Sequence, residues 1–501
     1  MRKIYSFLLG ALTAIAANAT DYNVPITINV NGGVTEQSAL ISVEENNGLY
    51  NLTLKNFILQ SGTGPIGVGN VELNDIESYQ DGDATLLLAS RNVTITSGDD
   101  PSVLLWMGTF LPPVPVELRG MIEGDNLCCY LDIDLTATLQ QTVKVAVGSG
   151  YQIPNPSFES WHTSTGSYME PNAWHSFESA TGSMATLAGH HITKSDDAHT
   201  GEASARIYAT SIFGVVANGT MTTGRMNAGS VTASSTANHA FLDMSKDDVD
   251  GNGDPFYVTL QSRPDSIAVW MKYKQGTPNA NHPYATISAV ITDGTSYQDP
   301  EDNTYTNVVA RAKNNTIATT DGNWVRITAP FVYTDNNVAP KAILVTISTN
   351  ADAGQGSAND EVLVDDIELV YNANVTGLKV NGLDVTDFGS DKTEYEVVVN
   401  KDITADDIEV TVEGYAHVAK KIEVNGDTSI CSIFVISADM SSEKCYVVKI
   451  SKSDSAICEQ LTAPNQPTTY FTLDGRQANT LEPGKIYINR QTDGTVRKIR
   501  Q

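Results

Sequence analysis

Along most of the chain, apolar and polar positions alternate in short runs. Turn residues interrupt them every eight to twelve positions between residues 22 and 147. Period-two alternation puts one apolar face and one polar face on a strand. It predicts strands over Val24–Val30, Ala39–Val43, Leu49–Leu54, Gly67–Leu73, Thr85–Ala89, Val93–Thr96, Val114–Ile122, Leu127–Leu135 and Thr142–Val147. Asn46-Asn-Gly, Asp81-Gly-Asp and Glu123-Gly-Asp-Asn separate several of them. These residues tolerate the positive φ of hairpin turns. Eight or nine meandering strands predict a closed up-and-down barrel, which has no free sheet edge. Its interior holds packed side chains or one small ligand. Trp106 and Met107, near Pro112-Pro113, line its mouth or plug it.

After the short linker Gly148-Ser-Gly150, a second β region runs over 151–371 and closes on Val362-Leu-Val-Asp-Asp-Ile-Glu-Leu-Val-Tyr371. Plain alternation places Leu363, Asp365, Ile367 and Leu369 on one face, with Asp365 among aliphatics. A buried carboxylate needs backbone amides or a cation beside it. In Ile267-Ala-Val-Trp-Met-Lys-Tyr-Lys274, alternation gives Val269, Met271 and Tyr273 to the core. Trp270 and Lys272 face outward. Such a Trp either offers a ligand platform or lies under a loop. Six or seven further strands follow in residues 374–452, and a Pro-containing linker leads to a short β tail over 468–501. Helical periodicity is scarce, so the fold class is all-β.

Motif order adds a family expectation. Asn155-Pro-Ser-Phe-Glu-Ser-Trp161, Pro171-Asn-Ala-Trp174, Arg263–Lys274, Asn323–Tyr333 and the closing strand occur in the order of a carbohydrate metabolism domain family of secreted bacterial proteins, which this region resembles. The stretch from Ser179 to Phe256 departs from it. The resemblance implies a jelly-roll β-sandwich that binds polysaccharide or glycan. It also implies that Glu159 and Asp365, with Asp366, share a structural calcium, and that Trp161 and Trp174 sit near the opening of the domain, as packing or as sugar contacts beside Trp270 and Lys272. Leu49–Phe57, Ile66–Val71 and Val114–Ile122 resemble the calycin-like β-barrel family. Residues 374–452 are similar to immunoglobulin-like or cadherin-like spacer sandwiches of bacterial surface proteins. The tail, with Asp474-Gly-Arg476 and Gly484-Lys-Ile-Tyr-Ile, resembles a type IX secretion sorting domain. That implies type IX secretion machinery as a partner.

Charge and leader refine this picture. The net charge of −28 disfavours nucleic acid and anionic membrane surfaces as partners. Arg2 and Lys3 precede an apolar run from Ile4 to Ala17, and Ala17-Asn-Ala19 fits a signal-peptide cleavage site, assigning residues 1–19 to a leader. No Cys follows closely, so no lipoprotein signal is present, and no transmembrane segment is expected. The expected location is extracellular or on the outer surface of a Gram-negative cell.

Candidate metal chemistry lies in two places besides the paired acidic residues. Asp248, Asp250, Asn252 and Asp254 take positions 1, 3, 5 and 7 of an EF-hand loop. Thr259 stands where that loop needs Glu, so the stretch is either an irregular calcium turn or a solvated acidic turn. His162, His175, His190, His191 and His199 show no zinc-protease spacing and read as surface polar residues. Adjacent Cys128 and Cys129 read as small core hydrophobes. Cys431, Cys445 and Cys458 leave one disulfide open without selecting its pair. The function expected is a glycan binder. A glycoside hydrolase working through a carboxylate pair and a non-catalytic surface adhesin or scaffold are the alternatives.

Overall fold

The computed structural model describes residues 19–30, 33–59, 64–334, 338–389, 391–426 and 428–452, together with 469–472, 476–478, 480–481, 486–490 and 496–500. The proposed leader before Ala19, Cys458, and Asp474 and Gly475 of the tail motif lie outside them. The chain divides into two compact units. One carries the first two β regions, and the other carries the strands from Val375 onward.

Eight antiparallel strands close the first region into a barrel: Ala19–Val30, Gly33–Asn46, Leu49–Leu59, Ile66–Asp81, Ala84–Val93, Val114–Glu123, Asn126–Leu135 and Gln141–Val147. Closure runs from Ile26 opposite Val147 to Val30 opposite Val143. The expected ninth strand is only a bridge of Thr96 to Asn70. Alternation fills the interior with Ile26, Ile41, Leu52, Leu54, Val71, Leu73 and their neighbours. Each fully buried aliphatic side chain contributes roughly 1.5–3 kcal/mol. Trp106 is buried, and a Cβ on Gly67 or Gly98 would run into its indole. Its neighbour Met107 is exposed.

The central region is a two-layer sandwich. One sheet places Ile192–Ser195, Ser204–Tyr208, Glu361–Val370, Ser266–Lys274 and Val325–Pro330 side by side. The other has Thr220–Thr222, Ala342–Ser348, Ala285–Thr292, Val308–Ile317 and Val332–Tyr333 in that order, with Val258–Thr259 added on Ala342–Ser348. Both face one apolar core that includes Val269, Met271 and Tyr273, as alternation predicted. The ends of the region meet. Ile367 N–H donates to the Pro156 carbonyl (2.9 Å), and the Gln152 side-chain amide brackets Leu369 with bonds of 2.7 and 2.8 Å. Two strands of the divergent stretch, Arg225–Ala228 and Asn238–Phe241, form a small sheet with Gln298–Asp299. Residues of this small sheet share a second apolar cluster with Val290 and Leu344, which point away from the main core.

In the second unit, a three-stranded and a four-stranded sheet enclose one core built from Val375, Leu378, Tyr395, Ile433 and Val448 among others. Four short strands of the tail pair in a separate sheet. Cys431 and Cys445 are free thiols, which removes that pair from the disulfide options. They sit on paired strands but out of register, opposite Val448 and Phe434 respectively. Iodoacetamide is expected to label Cys445 in the native protein, and to label Cys128, Cys129 and Cys431 only after unfolding. Mass spectrometry of the alkylated peptides checks this.

Candidate functional site

Asp365 lies at the centre of a hydrogen-bonded knot. It is fully buried, yet not on the face that plain alternation assigns. The pairing of Ser266–Lys274 with Glu361–Val370 shifts between Trp270 opposite Asp365 and Ala268 opposite Glu368. Asp366 is the extra residue of this bulge, at φ 43°. A bulge reverses the face of everything beyond it. Val362 and Val364 before it and Ile367 and Leu369 after it therefore all reach the core. Asp365 stands on the opposite side, with Trp270. The expectation that Leu363, Asp365, Ile367 and Leu369 share a face is corrected accordingly.

The loop after Asp197 roofs this spot. Asp365 accepts N–H bonds from His199 (2.7 Å), Thr200 (3.2 Å) and Asp366 (2.8 Å). Asp366 accepts His199 Nδ1 (2.6 Å) and Thr200 Oγ1 (2.7 Å). Glu159 accepts two further amides of the same loop, Glu202 (2.8 Å) and Ala203 (3.1 Å). Amide dipoles aimed at a carboxylate stabilise it and oppose a cation in the same position. The donor set around Glu159, Asp365 and Asp366 therefore fits the amide cradle and does not fit the calcium that the family resemblance implies. Burial, followed by the neighbouring charge of Asp366, pushes the Asp365 carboxyl up to about 7. Gly201 favours the wrap. Its φ is +68°, and a Cβ there would lie 2.0 Å from Glu159 Oε1. Gly201→Ala is expected to cost roughly 1–3 kcal/mol, read by urea denaturation.

The aromatic candidates are occupied by the protein itself. The His199 ring stacks on Trp270 at 3.8 Å between centroids. Lys272 Nζ donates to both carboxylate oxygens of Asp197 (2.6 and 2.7 Å) and sits 4.9 Å from the Trp324 ring centre. Trp174 is fully buried against Phe158, and half-buried Trp161 packs on the same core. In the structure Trp161, Trp174 and Trp270 lie against side chains of the protein itself, and Lys272 is ion-paired with Asp197.

The acidic turn does not gather into an oxygen cage. Asp254 Oδ2 accepts the Ala173 amide and Asn252 Nδ2, while Asn252 Oδ1 takes the Asp254 amide (3.1 Å). Asp250 is exposed. Asp248 instead turns inward and is buried, facing His162 and His175. His175 and His191 are fully buried, which corrects their reading as surface residues.

A site that the sequence reading missed lies on the outer face of the second sandwich sheet. There, Thr286 and Ser288 stand beside Ser348 and Thr346, with Thr220 flanking Ser348 and Lys313 flanking Ser288. They floor a groove of about 400 Å³. Its walls come mainly from the divergent stretch, including a hairpin within it. Phe213, at the tip between Thr210–Ile212 and Val215–Ala217, is 89% exposed. Val215, Val231 and Leu187 complete the apolar rim. The signal was legible as a repeated Thr-Ile-Ser, at 286–288 and 346–348. In each, a hydroxyl faces outward on either side of a core isoleucine.

Comparison with known proteins places residues 19–148 in the calycin-like β-barrel domain family, in agreement with the closed eight-stranded barrel. No curated protein matches the chain. Two solved structures are similar. One is a "putative outer membrane protein" from Bacteroides fragilis NCTC 9343, at 10% identity, covering 66% of this chain and 96% of its own, with a TM-score of 0.19. The other is the N-terminal CBM22-1–CBM22-2 tandem domain of Xyn10C from Paenibacillus barcinonensis, at 11% identity, covering 70% and 92%, with a TM-score of 0.19. Similarity at this level bears on neither the fold nor the function of this chain. Among the described residues, no helix is long and apolar enough to cross a membrane.

Proposed function

We propose that this is an exported glycan-binding protein, with the groove on the second sandwich sheet as its saccharide site. The groove carries the reading. A pyranose ring presents hydroxyls at its edge and C–H groups on its faces. A floor of serine and threonine hydroxyls under apolar walls offers a partner to both. Each C–H face laid on Phe213 hides on the order of 50 Å², worth about 1 kcal/mol at ~25 cal/mol/Å². Binding is therefore weak per sugar and built from several units.

A carboxylate pair is the requirement for glycoside hydrolysis. Of the residues lining the groove, Asp299 alone is acidic, which supports binding over hydrolysis. The leader-like start and the sorting-like tail support export. The calycin-like barrel and the second unit then serve as carriers of the sandwich.

The test is retention of the full-length protein on a polysaccharide array, compared with Ser288→Trp. The substitution fills the floor of the groove from a strand whose core residues are untouched. Wild type is expected to bind at least one polysaccharide and release no reducing sugar. Ser288→Trp should lose tenfold or more in affinity while melting within a few degrees of wild type. A wild type that binds no glycan, or a variant that binds as well, overturns the proposal.

A further inference from the structure

Four buried acceptor atoms converge where strand Trp161–Thr163, strand Met169–Pro171 and the acidic turn meet. His162 Nε2 and His175 Nδ1 each lie 3.8 Å from Asp248 Oδ2, too far for a hydrogen bond. One ligand atom each from His162, Glu170 and Asp248 fall within 4.8 Å of one another. His162 Nε2, His175 Nδ1, Glu170 Oε2 and Asp248 Oδ2 are all buried and lack a hydrogen-bond partner. Glu170 and His175 are fully buried, Asp248 is 4% exposed, and the His162 side chain is 9% exposed.

The outer hydrogen bonds fix what each group presents. His175 Nε2 faces the Pro255 carbonyl (3.3 Å), which can only accept, so the proton is on Nε2 and Nδ1 carries the lone pair. His162 Nδ1 donates to Asn172 Oδ1 (3.2 Å), leaving a lone pair on Nε2. Glu170 Oε1 is taken by the Ser176 amide (2.7 Å) and hydroxyl, which aims Oε2 inward. Four lone pairs thus face one another, and no hydrogen bond reaches any of these four atoms. A water molecule supplies two protons, not four. A cation satisfies all four at once, and the outer acceptors hold the imidazoles as metal sites usually do. Gly251 keeps the space open. A Cβ there would stand 2.2 Å from Asp248 Oδ2 and 2.7 Å from His162 Nε2.

We infer that His162, Glu170, His175 and Asp248 form a closed structural site for a zinc-class divalent ion. Two imidazole nitrogens exclude calcium as the preferred ion, since calcium takes oxygen ligands. Two imidazoles and two carboxylates suit tetrahedral zinc, whose bonds of about 2.0–2.2 Å require the donors to close in from the separations seen here, His175 furthest because it stands outside the 4.8 Å group of the other three. The ion pins the acidic hairpin turn of the divergent stretch to the opening of the domain. The site is independent of the groove and of its proposed ligand.

The test uses the full-length protein stripped with dipicolinate and then titrated with zinc chloride or calcium chloride. Metal content is read by mass spectrometry and stability by thermal melting. One zinc per chain is expected, with a rise in Tm of roughly 5–10 °C at zinc a hundredfold above its Kd. Calcium should give no comparable rise. Glu170→Gln is nearly isosteric and removes a buried charge. Its stripped form should melt at or above the stripped wild type, and its zinc-dependent rise should be lost. Gly251→Ala, which plugs the space, should lose that rise as well. A wild type that takes up no zinc, calcium matching zinc, or a Glu170→Gln protein with the full zinc response overturns the assignment.

Discussion

Asp365→Ala is expected to destabilise the central sandwich by about 3 kcal/mol, since three buried amides lose their acceptor at about 1 kcal/mol or more each. For a domain of this size, that lowers Tm by roughly 6–12 °C. Added calcium should leave the gap between variant and wild type unchanged, because the oxygens are held by His199, Thr200 and Asp366 amides. A gap that closes when calcium is withdrawn would restore the ion in place of the cradle.

The same residue sets a pH dependence. Its carboxyl is raised by burial, with Asp366 adding to the effect, from 3.8 to about 7 in the folded protein. Between these values the folded state holds a proton that the unfolded chain has released. The contribution of Asp365 is therefore fully present below about pH 4 and is lost as pH rises through 7. Asp365→Asn does not titrate. Urea denaturation at pH 5, 6, 7 and 8 should show wild type losing ground to Asp365→Asn as pH rises. A gap that stays flat or moves the other way shows that the amides keep the carboxylate ionised.

Strand alternation carried much of the architecture in readable form. The barrel was legible because one apolar face repeats through eight strands with hairpin chemistry at several of their ends. The face of Asp365 was not, because a bulge adds one residue without changing composition, and Val364-Asp-Asp-Ile367 reads like any other strand. The buried histidines were hidden for a different reason. His162 and His175 lie thirteen positions apart, while Glu170 and Asp248 come from other elements, so no spacing motif connects them. Asp248 did register as a candidate ligand, but within the wrong cage. Its turn spends Asn252 and Asp254 on closing itself and sends only Asp248 inward. The groove was missed because its floor is a ladder of small hydroxyl residues across several strands, and its walls come from the stretch that departs from the family pattern.

The aromatic residues give the second large effect. Trp174→Ala is expected to cost about 3–5 kcal/mol, the usual range for deleting a fully buried indole. Trp174 is 0% exposed, packs at 5.3 Å from the Phe158 ring, and donates Nε1–H to the Pro154 carbonyl (3.3 Å). Its loss opens a cavity where the beginning of the domain meets its end, beside the Pro156–Ile367 hydrogen bond. Trp270→Ala should cost less, about 1–2 kcal/mol, because its ring lies between the sheet and His199 and the roof can settle onto the space. Both belong in one urea series with glycan retention measured at each concentration. If these residues serve packing, Trp174→Ala loses retention only where it loses folded protein, and folded Trp270→Ala binds as wild type does. A fully folded Trp270→Ala that no longer retains polysaccharide would move the saccharide site from the groove to the roof of the opposite sheet.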